Sequence, residues 1–273
     1  MGSVDVYRIT DRLDDSTLEV LVSRLESRGR HPRFIAMMNE YFDAMTIESA
    51  RSVLDLGCGT GIAARAIAHR KAFVGHITGV DMSPYLIAEA KRLADEEGLT
   101  SSIEFRTGDS QRLELPDASF DSAVAHTLVS HVPEPIAVLR ELARIVKPGG
   151  SIAIFDGDYA SLTFGNDDPV KGKADDETII DAIVTNPRVM RQMPQLLREA
   201  GLELTASFAY VVADIGKADF WAPAIQSFLR LLPKAGAMAE SDAQAWVDAM
   251  VERSAQGVFF GASNYYSYVA MRR

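Results

Sequence analysis

The stretch Leu54-Asp55-Leu56-Gly57-Cys58-Gly59-Thr60-Gly61 constrains the fold more than any other part of the chain. A short β-branched and apolar run precedes it (51–56, RSVLDL) and an Ala-rich helical segment follows it (62–70). Glycines between a strand and a helix let the backbone turn tightly and approach a ligand closely. The free N–H groups and partial positive charge of a following helix start favour an anionic ligand group. The spacing G-x-G-x-G at Gly57, Gly59 and Gly61 is not the G-x-G-x-x-G of a dinucleotide fingerprint, and no Gly-Lys-Ser/Thr follows to make a P-loop. On its own the loop also reads as a tight turn that holds nothing.

Around that loop, strands and helices alternate. Residues 75–80 (GHITGV), 102–106, 121–126 (DSAVAH) and 151–155 (SIAIF) read as further strands. Ser83-Pro84 opens a helix, with Ser as N-cap and Pro in the first turn; it runs to about residue 97 and stops at Gly98. Another helix covers 133–146 and closes at Pro148-Gly149-Gly150. This rhythm predicts an α/β fold: a Rossmann-like sheet, mostly parallel with an antiparallel last strand, and helices on both faces. Residues 16–48 read as two helices broken near Gly29 and Pro32. The tail reads as a long loop (159–173), helices at 174–185 and 188–200, a strand at 203–213, helices at 217–232 and 241–256, and a last strand at 263–271. The expected arrangement is a single domain over 1–273. Its core takes in about 49–213 plus 259–273. Helical cap elements at about 1–48 and 214–258 sit over the strand carboxyl ends, where open α/β sheets build their sites.

Composition narrows the partners. A formal net charge of −10 with no basic stripe argues against nucleic acid, whose binders need a cationic face. No apolar run reaches the roughly 18 residues of a membrane span, and the polar, acidic residues 1–15 are unlike a signal peptide. Gly2 follows Met1, but Val6 stands where a myristoylation motif wants Ser or Thr. The single cysteine, Cys58, forms no intramolecular disulfide, which fits a cytoplasmic protein, monomeric or homodimeric. No clustered His/Cys/Asp pattern marks a metal site.

Four co-linear segments carry a resemblance. VLDLGCGTG (53–61), HITGVDMSP (76–84), GDSQRLELPDASFD (108–121) and VKPGG (146–150) resemble, in order and spacing, the motifs of the class I S-adenosyl-L-methionine (SAM) dependent methyltransferases. The likeness is to the small-molecule branch that includes ubiquinone- and menaquinone-biosynthesis enzymes. It spans about residues 50–157; the two ends resemble members of that branch only loosely.

That resemblance implies a SAM-binding enzyme, with S-adenosyl-L-homocysteine as product. It would move a methyl group to an O, N or C atom of a small organic acceptor by in-line displacement. The alternatives are a SAM-binding enzyme with other chemistry (carboxymethyl transfer or a rearrangement) and a non-catalytic SAM-binding protein. By the same resemblance, Gly57, Gly59 and Gly61 shape the cofactor loop. Asp55 lies beneath it, ordering N–H groups or accepting from the SAM ammonium. Asp81 accepts from the ribose hydroxyls, unless it merely caps the next helix. Met82 covers adenine or belongs to the core; Asp109 and Ser110 meet the adenine edge, or Asp109 caps a turn. His126 and Thr127 end the fourth strand near the cofactor and the transferred methyl. Arg33, in HPRFIAMM, is the candidate counter-charge for the SAM carboxylate, or an exposed charge at a helix start. His131 and Asp156 are the candidate catalytic residues: histidine titrates near neutral pH and serves as a general base, although either residue also suits a structural role. Asp158 shares the rim of Asp156. Phe164, Phe220, Trp221, Phe259, Phe260, Tyr265 and Tyr266 either line an acceptor pocket or fill the core.

Overall fold

The computed structural model describes residues 4–273, so residues 1–3 of the expected cap lie outside the described part. Strand β1 (Ser52–Leu56) sits near the middle of one seven-stranded sheet of order β3-β2-β1-β4-β5-β7-β6. β2 (His76–Asp81), β3 (Ile103–Thr107), β4 (Phe120–His126) and β5 (Val146–Phe164) run parallel to it. β7 (Phe259–Arg272) lies between β5 and β6 (Leu202–Gly216), antiparallel to both. Burial on both faces explains why Val53–Leu56 and Ser122–His126 read as near-continuous apolar runs rather than alternating ones. The order reverses between β1 and β4, and the crevice beyond their carboxyl ends is where such sheets place ligands.

Two apolar layers enclose the sheet. On one face α5 (Pro135–Ile145) and α7 (Val189–Glu199) bury Leu139, Leu142, Met193 and Leu197 against Leu54, Leu56 and Ile154. On the other lie α2 (Pro32–Ala44), α3 (Ile62–Ala68) and α4 (Pro84–Glu96), with Phe34, Tyr41 and Ile87 buried. The cap of α4 is the one its sequence announces: Leu86 N donates to Ser83 Oγ at 3.3 Å. α1 (Asp15–Gly29) crosses to α8 (Ala222–Lys234), where Arg24 Nη1 donates to Ser227 Oγ at 3.1 Å, and α9 (Glu240–Ala255) packs on α8.

One segment departs from the expectation. Residues 159–173 are not a loop: β5 continues to Phe164 by pairing Thr163 with Ala262 and Phe164 with Gly261 on β7. α6 (Pro169–Ile183) then starts early, because Asp168 caps it by accepting from Val170 N at 2.9 Å and Lys171 N at 3.1 Å. The polar composition that suggested a loop belongs to this cap and to a ladder irregularity between Asp158 and Thr163. Residues 6–9 form a 3₁₀ turn that the sequence reading left unassigned; Asp5 caps it, and Val4 N donates to Ala235 O at 3.1 Å.

Candidate active site

The glycine loop is held in shape by neighbours at both ends. Gly57 N and Cys58 N donate to Val80 O at 2.7 and 3.0 Å, hooking the loop onto the end of β2. Gly57 and Gly59 have φ of 68° and 53°, a region that costs an L side chain roughly 1–2 kcal/mol. A Cβ at Gly57 would also lie 2.6 Å from Leu128. Asp81 braces the loop from β2: its Oδ2 accepts from Gly59 N at 2.9 Å and its Oδ1 from Ser83 N at 2.9 Å. Gly61, with φ of 79°, caps α3 away from the cavity and leaves room for the Phe105 ring, which a Cβ there would meet at 2.6 Å.

Beyond this loop opens a cavity of about 560 Å³. Asp55, Gly57, Gly59, Asp81, Met82, Asp109, Ser110, His126, Thr127 and His131 all line it. Tyr7 and Arg8 of the N-terminal turn and Leu25, Arg28 and Gly29 of α1 close it from above. The structure thus draws together most of the residues singled out in the sequence, from segments as far apart as 55 and 131.

Three placements differ from expectation. Arg33 faces away: its Nη1 donates to Ala213 O at 2.7 Å and pairs with Asp214 at 3.2 Å, because the helix break at residues 30–31 turns it toward β6. Arg28, one helix earlier, lines the cavity, as do Arg8 and Arg12. Asp156 does not line the cavity either. Its carboxylate is turned into the backbone, accepting from Ser130 N at 3.1 Å and Gly157 N at 2.8 Å, and so organises the loop that carries His131. Asp158 is buried and ion-paired with Arg191 at 2.9 Å. The tail aromatics mostly fill the core: Phe164, Phe220, Trp221, Phe259 and Tyr265 are buried, Phe260 is exposed, and none lines the cavity.

Polar groups in this cavity are short of partners. Tyr7 Oη, Arg28 Nε, Asp55 Oδ1, Thr60 Oγ1 and His126 Nε2 are buried without a hydrogen bond among the described residues, a condition native interiors avoid unless something else meets the need. Asp55 is fully buried and spends only Oδ2, on Ala64 N at 3.0 Å. Burial first, and the nearby Asp81 charge second, push its carboxyl up to about 7 against that one N–H. Arg28 gives Nη2 to Thr127 Oγ1 at 3.0 Å and lies over the Phe34 ring at 5.0 Å, with no carboxylate partner among the described residues. Burial, followed by the Arg28 charge, pushes His126 down to about 3, so it is neutral at pH 7. It stacks on Phe155 at 4.8 Å, with Tyr41 Oη 2.9 Å from Nδ1. Asp109 turns Oδ1 onto Gln111 N at 2.9 Å, an Asx turn that forms the rim.

His131 is different. Its Nδ1 lies 3.0 Å from Asp5 Oδ2. Burial lowers its pKa, but the charge and hydrogen bond of Asp5 outweigh this and hold the imidazole above its usual value. Asp5 escaped the sequence reading; the one signal for it is an acidic residue placed to cap a four-residue turn, which is too common to single out.

A ligand suited to this cavity needs a cation for Asp55, an anion for Arg28, a diol or similar donor pair for Asp81 and a flat body near Met82. Each of these parts occurs in SAM, and the orphaned Asp55 oxygen and Arg28 nitrogen fit its amino-acid end. The fold is Rossmann-like, as in solved methyltransferase structures. Residues 54–154 match the methyltransferase domain family. A protein encoded in a transposon of Streptomyces fradiae is 28% identical over 96% of this chain and 74% of its own length. Phosphatidylethanolamine N-methyltransferase of Cereibacter sphaeroides is 41% identical over 37% of this chain and 48% of its own. A geranyl diphosphate methyltransferase solved in complex with SAM covers 100% of this chain and 97% of its own at 16% identity, with a TM-score of 0.54. The chain spans about half or less of the length of the methyltransferase-named curated relatives it matches. These matches support a SAM-dependent methyltransferase and imply SAM binding. No described helix is long and apolar enough to cross a membrane, and no described His/Cys/Asp/Glu group is arranged to hold a metal.

Proposed function

We propose that the protein transfers the methyl group of SAM to a small organic acceptor inside this cavity. The observation that carries the proposal is the buried, half-satisfied Asp55 carboxylate facing the same space as the Arg28 guanidinium, which has no carboxylate partner among the described residues. Buried charges normally have partners; a ligand bearing both an ammonium and a carboxylate supplies both. Asp55 Oδ1 then accepts from the SAM ammonium, and Arg28 replaces Arg33 as the counter-charge for the carboxylate. Asp81 accepts from the ribose hydroxyls, and Met82, Asp109 and Ser110 border the adenine.

SAM supplies an activated methyl on a sulfonium. The protein's part is to hold the acceptor in line with that methyl and to keep water out, and proximity of this kind accounts for several kcal/mol. Residues 6–9 and α1 close the top of the cavity, so they act as the lid. His131, with its Nε2 free of hydrogen bonds among the described residues, is the general base when the acceptor has a proton to lose. Asp156 serves as a positioning residue through Ser130 N.

Calorimetric titration with S-adenosylhomocysteine, with NAD as control, tests the cofactor assignment. S-adenosylhomocysteine alone should bind. Asp81→Ala should weaken it by about 2–3 kcal/mol, since charge-assisted bonds are lost, without unfolding the chain. NAD binding, or unchanged affinity in that variant, refutes the assignment.

A further inference from the structure

We propose that Asp5 and His131 form a proton-accepting pair and that the acceptor is an acidic hydroxyl, a phenol or an enol. The inference rests on the SAM reading above and names the substrate class of that same cavity. Its ground is geometric. Asp5 Oδ2 lies 3.0 Å from His131 Nδ1. The same oxygen accepts from Thr185 Oγ1 at 2.9 Å, and Oδ1 accepts from Tyr7 N at 2.9 Å. Asp5 is therefore fixed on three sides, 126 residues away in sequence from the ring it orients. A carboxylate on Nδ1 selects the tautomer with hydrogen on Nδ1 and leaves the Nε2 lone pair as the base. His131 lines the cavity, and Nε2 has no partner among the described residues.

A second group points the same way. The Tyr7 ring lies 4.8 Å from the His131 ring and lines the same cavity, and its hydroxyl is buried without a hydrogen bond among the described residues. Tyr7 Oη and His131 Nε2 together offer one donor and one acceptor, the pair a hydroxyl requires. Leu128, Val132 and Pro133 supply apolar surface beside them, which suits a flat ring with one polar head. Amine acceptors fare worse. A tertiary amine brings no proton for the base to remove.

The step balances. The acceptor O–H bond breaks toward His131 Nε2 as its oxygen forms the new O–CH₃ bond; the S–CH₃ electrons remain on sulfur, turning sulfonium into neutral thioether. The imidazolium then gives its proton to water. Five charged or titratable neighbours surround this base: Asp5 from the N-terminal turn and Asp156 from β5 raise its pKa, Arg28 from α1 lowers it, and the Tyr7 and Tyr159 rings pack on it. Asp5 is a positioning residue, since it touches His131 and not the substrate.

The test uses 4-nitrophenol, whose phenolate absorbs separately from the phenol. The full-length protein is saturated with S-adenosylhomocysteine and titrated with 4-nitrophenol just below the free phenol's pKa. Wild type should bind it as the phenolate, lowering its apparent pKa by about one unit or more, a tenfold shift in the ionisation equilibrium. Asp5→Asn should bind it largely as the neutral phenol; Asp5→Glu should recover part of the phenolate band. His131→Ala should give no shift. A phenol bound in neutral form by wild type, an equal phenolate band in His131→Ala, or no binding to the complex overturns the proposal. Should Asp5→Asn fail to fold, His131→Ala and Tyr7→Phe carry the same test. Failure of S-adenosylhomocysteine itself to bind would instead overturn the cofactor reading, and the first titration separates the two.

Discussion

Asp55 should release its proton when the cofactor binds. In the free protein its carboxyl is pushed up to about 7 by burial, then by Asp81, with only Ala64 N opposing. An ammonium seated on the orphaned Oδ1 favours the ionised form and pulls that value well down. Proton release then follows the fraction protonated beforehand: about 0.9 at pH 6, about 0.5 at pH 7 and about 0.1 at pH 8. Affinity for S-adenosylhomocysteine should weaken about tenfold per pH unit below 7, because about 1.4 kcal/mol per unit goes into ionising Asp55. Calorimetric titrations in buffers of different ionisation enthalpy read the proton count directly as a slope. Asp55→Asn should flatten that slope and cost about 2–3 kcal/mol of affinity, the worth of a hydrogen bond between charged groups. A wild-type slope of zero at pH 6, or the same slope in Asp55→Asn, refutes the placement of the ammonium.

Three further outcomes follow from the same geometry. Arg28→Met should weaken S-adenosylhomocysteine at least about tenfold, since a guanidinium with no carboxylate partner among the described residues is free to meet the ligand's carboxylate; calorimetric titration shows it. Gly61→Ala should cost about 2 kcal/mol or more, from φ of 79° and a Cβ 2.6 Å from Phe105, whereas Gly98→Ala, at φ of 71° with open space around it, should cost only about 1; urea midpoints decide. For His126, whose folded pKa of about 3 lies below the ordinary 6.5, the stabilisation is full above pH 6.5 and is lost as pH falls toward 3. Its share should be about 1.4 kcal/mol per unit in that window, visible as a difference in acid sensitivity between wild type and His126→Gln in urea titrations.

The sheet was legible because its signals are local. Ser83-Pro84 is a cap within a single turn, and the glycine loop is a contiguous strand-turn-helix; both depend on neighbours a few residues away. The end of β5 was missed because its reason is not local. Residues 159–164 extend only because β7 lies alongside, and no pattern within the segment itself encodes that partner.

The same distinction separates the site residues. Asp55 and Asp81 stand out by motif, and their bonds are local to it: Asp81 accepts from Gly59 N in the loop, and Asp55 from Ala64 N in the helix that follows. The choice between Arg28 and Arg33 could not be made that way. The two lie on either side of the break between α1 and α2, and the phase of one helix says nothing about the phase of the next. Asp156 shows the converse: a carboxylate at the rim of a strand end looks catalytic, yet the backbone N–H groups of Ser130 and Gly157 meet it first. Asp5 pairs with His131 only after the N-terminal segment has crossed the molecule. Asp55 and His126 are ordinary residues in the sequence, and burial sets both against their charged forms in the fold. In the proposed function the ligand's ammonium supplies the partner that Asp55 Oδ1 lacks.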